Sequence, residues 1–180
     1  MKKIIMVSTN NTCRSFIAES ILRQYLLDAD QKNVEVISRG LVVLFPEPVH
    51  VKAADMVIKT CGIESLDFRS AQLTQEEVEE SDLILTMTEE QKDKILEEYH
   101  EYKEIATLNE YARVEGAIID PYGMEDDDYE RCFEQIARLV KKIWQERLGG
   151  NKMIGIGSDH GGICIKTRQL SNIWKKKDMQ

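Results

Sequence analysis

A short polar segment near the amino terminus carries residue types that bind phosphate. Residues 8–15, called the phosphate loop below, read Ser-Thr-Asn-Asn-Thr-Cys-Arg-Ser and follow the apolar run 4–7. Where a strand leads through a short loop into a helix, backbone N–H groups lack partners and the helix dipole favours an anion. Arg14 lies near the end of this segment, where its planar guanidinium can hold two oxygens of one phosphate. We therefore predict a site for inorganic phosphate or another oxyanion. The predicted phosphate-binding residues are Thr9, Asn10, Asn11, Thr12, Cys13, Arg14 and Ser15.

Two further features add chemistry to this loop. Ser15 directly follows Arg14, and its hydroxyl can face the residue at position 8. Far downstream, Asp120 precedes Pro121 and Tyr122 in a predicted turn, where a carboxyl group can be held over the loop. A positioned carboxyl group is a suitable proton donor or acceptor.

Composition and charge narrow the class of protein. The chain has 180 residues, of which 42% are hydrophobic and 31% charged, as in an ordinary globular domain. The formal net charge is −8, but residues 151–180 hold six basic and two acidic residues, which leaves −12 on residues 1–150. An acidic body repels nucleic acid and anionic lipid, so neither nucleic acid nor a membrane is an expected partner. No apolar run is long enough to cross a membrane.

The cysteines and histidines show no pattern typical of a metal site. The four cysteines, in a chain of this length, show neither metal-ligand spacing nor a disulfide framework, so we predict no metal and a reducing, cytoplasmic compartment. The three histidines, His50, His100 and His160, match no catalytic triad. We expect His50 and His100 to be isolated residues at the surface or at helix ends.

Strand and helix patterns alternate along the chain. Apolar, β-branched runs predict strands at 3–7, 34–38, 83–87 and 105–108, and helical spacing of apolar residues predicts helices at 13–29, 50–61, 91–100 and 128–148. A capping box over residues 74–77 predicts a further short helix. Alternation of this kind predicts an α/β fold, with a four-stranded parallel doubly wound sheet and helices on both faces. In such sheets ligands bind at the carboxyl ends of strands, where the phosphate loop lies.

These pieces together resemble the low-molecular-weight protein tyrosine phosphatases. The matching segments are the run 11–15, Ala18-Glu19-Ser20, the run 81–87 and Asp120-Pro121-Tyr122, and the resemblance covers about residues 1–150. It implies a cofactor-free phosphatase acting on phosphorylated protein side chains through a phosphoenzyme intermediate.

The resemblance also implies roles for individual residues. Arg14 would bind the phosphoryl oxygens, Asn11 would brace the loop and Ser15 would hydrogen-bond the nucleophile. Asp120 would be the general acid and later the general base. Tyr122 would line the entrance, with Phe45 as the opposite wall.

The position of the family's nucleophilic cysteine is occupied by Ser8. A helix N-terminus and a guanidinium can ionise a thiol at neutral pH, but a serine hydroxyl has a far higher intrinsic pKa. We therefore expect the chain to bind phosphate while the covalent step is very slow, making it a catalytically dead, ligand-trapping form, whether engineered or natural. The family usually has glycine at the position of Asn10, and asparagine can imitate glycine at positive φ.

The segment 151–180 is predicted to be separate from the domain of residues 1–150. From Met153 it has a short apolar run that continues as Gly-Ser-Asp-His-Gly-Gly, and this run resembles the amino terminus of type B ribose-5-phosphate isomerases. That enzyme needs a complete domain, so we interpret this basic tail as a truncated isomerase-like fragment.

Three functional hypotheses remain open from the sequence. The leading one is a phosphatase acting on phosphotyrosine or phosphoarginine, with Thr12 favouring the arginine branch and the family's usual substrate favouring tyrosine. The second is a natural pseudophosphatase that binds phosphoprotein without turnover. The third is a sugar-phosphate isomerase, which the short tail argues against.

Overall fold

The computed structural model describes residues 1–99 and 104–150, and these form an all-parallel sheet flanked by helices. The strands are β1 (Lys2–Ser8), β2 (Val34–Gly40), β3 (Leu83–Thr86) and β4 (Glu104–Thr107), in the order β2-β1-β3-β4. The predicted fold class is confirmed. His100 and the whole 151–180 tail, with its isomerase-like segment, lie outside the described residues.

Helices cover both faces of this sheet. They are α1 (Arg14–Asp28), α2 (Val51–Cys61), α3 (Gln75–Glu80), α4 (Glu89–Glu98), α5 (Leu108–Tyr111) and α6 (Asp126–Arg147). Alternate residues of β1 belong to two buried clusters. Ile4 and Met6 pack with residues of α1, α2, α5 and α6, whereas Ile5 and Val7 pack with residues of α3 and α4. Because both faces are buried, β1 is a continuous apolar run, as expected for a central parallel strand.

Threonine caps account for the main differences from the predicted boundaries. The predicted capping box at Thr74 is confirmed, with Glu77 as its partner. A second box, formed by Thr88 and Gln91, begins α4 at Glu89, two residues before the predicted start. A third box at Thr107 ends β4 and begins α5, a short helix that the strand pattern of residues 105–108 had concealed.

The sheet order places the phosphate loop at a topological switch point. The chain leaves β1 for its neighbour β2 on one side, while β3 pairs with the other side of β1. The loop after β1 therefore opens at the carboxyl edge of the sheet, where ligands bind in open α/β folds. No helix among the described residues has the length and apolar character needed to cross a membrane.

Candidate phosphate-binding site

The phosphate loop joins a central strand directly to a helix N-terminus. Ser8 is the last residue of β1, and Arg14 is the first residue of α1. Cys13 occupies the N-cap position, but its side chain makes no capping hydrogen bond, and the first turn of α1 has no acidic residue. The N–H groups of this turn therefore remain available to an anion.

Asn11 holds the loop in shape from its centre. Its Nδ2 donates to Ser15 Oγ at 3.0 Å and to Ser38 Oγ at 2.9 Å, while its Oδ1 accepts from the backbone N–H of Ala71 at 3.0 Å. Ser15 Oγ in turn shares a hydrogen bond with Ser8 Oγ at 2.7 Å. The side-chain amide of Asn11 thus makes three hydrogen bonds inside the protein, so both its nitrogen and its oxygen have partners.

The left-handed backbone position of the loop is Asn11, with φ of 59°. Asn10, which stands where the family usually has glycine, is not among the described residues with positive φ. The glycine-like backbone conformation expected at Asn10 is therefore found at Asn11. Asparagine tolerates this region better than most residues, and here its side chain is also fully used.

A buried carboxylate supports Asn11 from behind. Ser38 on β2 donates to Glu19 Oε2 on α1 at 2.5 Å, and Arg23 forms an ion pair with Glu19 at 2.7 Å. Burial raises the pKa of Glu19, and the hydrogen bond from Ser38 partly opposes this effect. The phosphate loop is thereby connected through Asn11 to Ser38 on β2 and, through Ser38, to Glu19 on α1.

Arg14 and Asp120, 106 positions apart in the sequence, meet at the mouth of the loop. Arg14 Nη2 lies 2.5 Å from Asp120 Oδ2. The side chain of Arg14 is 7% exposed, whereas that of Asp120 is 55% exposed. Asp120 Oδ1 also accepts from the backbone N–H of Tyr122 at 3.2 Å, which orients the carboxylate within residues 120–123, called the acid turn below.

A cavity of about 180 Å³ lies between the phosphate loop and the acid turn. Its walls include most residues predicted for the site. These are Ser8, Thr9, Asn10, Thr12, Cys13, Arg14, Asp120 and Tyr122. Asn11 and Ser15 are buried behind the cavity, consistent with supporting rather than contacting positions. Phe45 is 76% exposed and is not among the lining residues, so its contact with a substrate stays a prediction.

Three further cavity residues were not predicted as site residues: Pro121, which belongs to the predicted turn, and the more distant His50 and Tyr129. His50 and Tyr129 both line the cavity, with their rings stacked at 4.8 Å and a Tyr129 hydroxyl to His50 Nε2 distance of 3.3 Å. The backbone N–H of His50 donates to Thr12 O at 2.8 Å. His50 does stand at a helix end, as the N-cap residue of α2, but it is half-buried.

The sequence holds one usable signal for this pair. Extending the apolar stripe of α6 back by one turn from Phe133 reaches Tyr129, which is buried. His50 Nδ1 is buried without a hydrogen-bond partner among the described residues. Nothing in the sequence around His50 indicates that burial.

Burial also controls the ionisation of the Cys13 thiol in the phosphate loop. It raises the pKa of Cys13 to about 12, and the opposing charge of Arg14 is too weak to prevent this. Cys13 is therefore a protonated thiol at neutral pH. No group of three or more His, Cys, Asp or Glu side chains in residues 1–99 and 104–150 is placed to hold a metal ion.

Comparison with known proteins agrees with this geometry. Residues 3–152 match the family described as low molecular weight phosphotyrosine protein phosphatase. The chain belongs to this family. A curated relative from Staphylococcus haemolyticus, the low molecular weight protein-tyrosine-phosphatase PtpB, is 36% identical over 141 residues, which cover 78% of this chain and 96% of the relative.

Solved structures of the family share the fold. The low molecular weight protein tyrosine phosphatase from T. tengcongensis has a TM-score of 0.75 and 31% identity, covering 81% of this chain and 99% of that one. YwlE arginine phosphatase has a TM-score of 0.71 and 29% identity, covering 81% and 98%. That structure is of a cysteine-to-serine variant with a phosphorylated active-site serine.

Proposed function

We propose that this chain is a phosphoprotein phosphatase whose Ser8 form binds phosphorylated side chains without completing turnover. The observation that carries the proposal is the position of Ser8 Oγ. It lies 2.7 Å from Ser15 Oγ, within a loop whose cavity is also lined by Arg14 and Asp120. In the proposed site Ser8 occupies the nucleophile position, Arg14 binds the phosphoryl oxygens and Asp120 is the general acid.

The proposed lack of turnover follows from the chemistry of a serine hydroxyl. A hydroxyl must lose its proton as it attacks phosphorus, so it needs a neighbouring base. In the described residues the side-chain partner of Ser8 is Ser15, itself a hydroxyl, while His50 Nε2 is bonded to Tyr129. Among the described residues, Ser8 therefore has no side-chain base as a hydrogen-bond partner.

A slow transfer to Ser8 would leave a stable product. The P–O or P–N bond of the substrate would break and a bond from phosphorus to Ser8 Oγ would form. The Ser8 hydroxyl proton would pass to a phosphoryl oxygen of the substrate, and the leaving group would take a proton from Asp120. The resulting ester has an alkoxide leaving group, which is much poorer than a thiolate. The phosphorylated serine in the YwlE variant supports this fate for a serine in such a loop.

Hydrolysis of a small aryl phosphate tests the assignment. We expect the Ser8 chain to bind inorganic phosphate or vanadate in a calorimetric titration and to show negligible turnover, whereas Ser8→Cys hydrolyses the ester. Equal rates for the two proteins would refute the placement of the nucleophile at position 8. If Ser8→Cys folds and binds phosphate but stays inactive, the chain is a natural pseudophosphatase.

We propose phosphotyrosine and phosphoarginine as the two candidate substrates, and Thr12 as a residue that selects between them. Thr12 lines the cavity, and a small hydroxyl-bearing side chain leaves room for a planar guanidinium leaving group. Similarity to an arginine phosphatase supports phosphoarginine, while PtpB and the family description support phosphotyrosine.

The test of Thr12 compares two substrates in the Ser8→Cys background. We expect Thr12→Ile to lower the ratio of the rate on phosphoarginine peptides to the rate on phosphotyrosine peptides. Thr12→Ser keeps the hydroxyl and is the matched control. An unchanged ratio in Thr12→Ile would show that Thr12 does not select the substrate.

We also propose that the phosphatase domain ends at residue 150. The N–H of Gly150 donates to Trp144 O at 3.0 Å, and a Cβ at Gly150 would lie 2.4 Å from the indole Nε1 of Trp144. The chain is therefore packed against α6 up to this residue. Deleting residues 151–180 should leave phosphate affinity unchanged, and conversion of ribose 5-phosphate by the full chain would contradict the idea of a truncated isomerase-like tail.

A further inference from the structure

Gln91 connects helix α4 to the phosphate loop. It is the third residue of α4 and is 5% exposed. Its Oε1 accepts from the backbone N–H groups of Met87 at 3.0 Å and Thr88 at 3.2 Å, and its Nε2 donates to Thr9 Oγ1 at 3.0 Å. Because backbone N–H groups can only donate, the amide oxygen must face them, and the amide nitrogen must face Thr9.

This contact determines what the Thr9 hydroxyl can do. Its oxygen accepts from Gln91, which leaves its hydrogen free to donate to another acceptor. Thr9 is exposed and lines the same cavity as Arg14, and its backbone oxygen accepts from the N–H of Val42 at 3.0 Å. The residue is thus held from the α4 side and from the loop after β2.

We propose that Gln91 is a positioning residue that directs the Thr9 hydroxyl to donate to a phosphoryl oxygen bound in the loop. The inference rests on the proposed function, because it requires that the loop binds an oxyanion. It adds a ligand contact from a side chain to those from the loop backbone and Arg14.

The other capping boxes explain why an amide matters at this position. In the described residues, α3 and α5 carry glutamate at the corresponding third position, Glu77 and Glu110. A glutamate at position 91 could accept the same two backbone N–H groups, but it could not donate to Thr9. The Thr9 hydroxyl would then turn its hydrogen toward α4, away from the oxyanion.

The substitution Gln91→Glu therefore reverses one hydrogen bond while keeping the cap. In calorimetric titrations of the full-length Ser8 chain with inorganic phosphate, we expect Gln91→Glu to weaken binding about tenfold, as does losing a hydrogen bond to a charged group. Thr9→Val should cause a similar loss, and Thr9→Ser, which keeps the hydroxyl, should bind like the parent. Thr74→Ala, which breaks the box of α3, a helix that contributes no lining residue to the cavity, is the control for a general loss of stability.

The double variant separates this mechanism from simple charge repulsion. If Gln91 acts through Thr9, adding Gln91→Glu to Thr9→Val should weaken binding by much less than tenfold, because the hydroxyl is already gone. Losses that multiply in the double variant, or a Thr9→Val protein that binds phosphate like the parent, would overturn the inference. If Gln91→Glu fails to fold, the Thr9→Val and Thr9→Ser pair decides. A parent chain that does not bind phosphate would instead refute the proposed function and this inference with it.

Discussion

The phosphate loop and the acid turn face each other across one cavity, yet they are built differently. Asn11, Arg14 and Ser15 are buried, and the loop is bonded to β2 and to the backbone at Ala71. In the acid turn, the Asp120 side chain is more than half exposed, and Tyr122 is 81% exposed. The part proposed to bind phosphate belongs to the core, and the part proposed to move protons belongs to the surface.

This difference matches the two tasks. A set of N–H donors stabilises an oxyanion only if it is preorganised, because any rearrangement would cost part of the binding energy. A general acid must instead exchange protons with water, and the leaving group must depart past it. Binding and proton transfer should therefore respond separately to mutation.

The substitution Asp120→Ala should give the largest difference between its effect on catalysis and its effect on phosphate binding. In the Ser8→Cys background, its removal should slow hydrolysis of esters with poor leaving groups by about a hundredfold to ten-thousandfold, with a much smaller loss on activated aryl esters. In the Ser8 chain it should not weaken phosphate binding, because the Asp120 carboxylate competes with an oxyanion for Arg14. Asp127→Ala, an exposed acidic residue nearby in the sequence, is the control. Equal losses on both kinds of ester would rule out proton donation by Asp120.

The reactivity of a thiol should differ between two positions of the phosphate loop, Cys13 and position 8. Burial raises the pKa of Cys13 to about 12, so its thiolate appears only as the pH approaches that value. Ser8 Oγ lies 2.7 Å from the hydroxyl of Ser15 in the first turn of α1, so we expect the helix N-terminus to favour the thiolate of Ser8→Cys. At pH 8 we expect it to react with iodoacetamide about a thousandfold faster than Cys13, as followed by peptide mass spectrometry. Comparable alkylation of both sites would mean that the loop does not activate position 8.

Asn11→Ala should damage the loop and leave the acid turn intact. It removes the partners of Ser15, Ser38 and the Ala71 N–H, and it places alanine at a φ of 59°. We expect phosphate affinity to fall at least tenfold and the free energy of unfolding to fall by about 2–4 kcal/mol in chemical denaturation. The exposed Asn33→Ala should change neither quantity. A stable Asn11→Ala protein with normal affinity would show that the loop keeps its shape without this network.

Alanine substitutions at two glycines should have the smallest effects, one on phosphate affinity and the other on stability alone. A Cβ at Gly40 would lie 2.6 Å from Val43 Cγ2 and 3.0 Å from Thr9 O, whereas at Gly123, with φ of +73°, it would meet no atom within 4 Å. Gly40→Ala should displace the loop and weaken phosphate binding several-fold. Gly123→Ala should cost about 1 kcal/mol of stability through its backbone conformation and leave affinity unchanged. Calorimetry and thermal melts measure the two effects. If Gly123→Ala weakened phosphate binding and Gly40→Ala did not, binding would not be confined to the phosphate loop.

Local patterns were enough to predict the sheet, most helices and the residues of the loop. Strand patterns, the helical spacing of apolar residues and the box at Thr74 are properties of neighbouring residues, so they are visible without coordinates. The errors came where two local signals overlapped, as at Thr107, which ends a strand and caps a helix at once. Asn10 and Asn11 could not be distinguished either, because both are asparagines and only the backbone decides which has positive φ.

The class of chemistry is predictable from the order of the residues, because the strand, loop and helix that carry Ser8 and Arg14 are contiguous. The contacts that complete the site exist only in the folded protein, although Asp120 itself was predicted from its turn and from the family resemblance. The ion pair between Arg14 and Asp120, the stacked His50 and Tyr129 rings, and the bond from Gln91 to Thr9 all join separate elements. Their proximity depends on the strand order and on how α2, α4 and α6 pack around the carboxyl edge of the sheet, which no local spacing encodes.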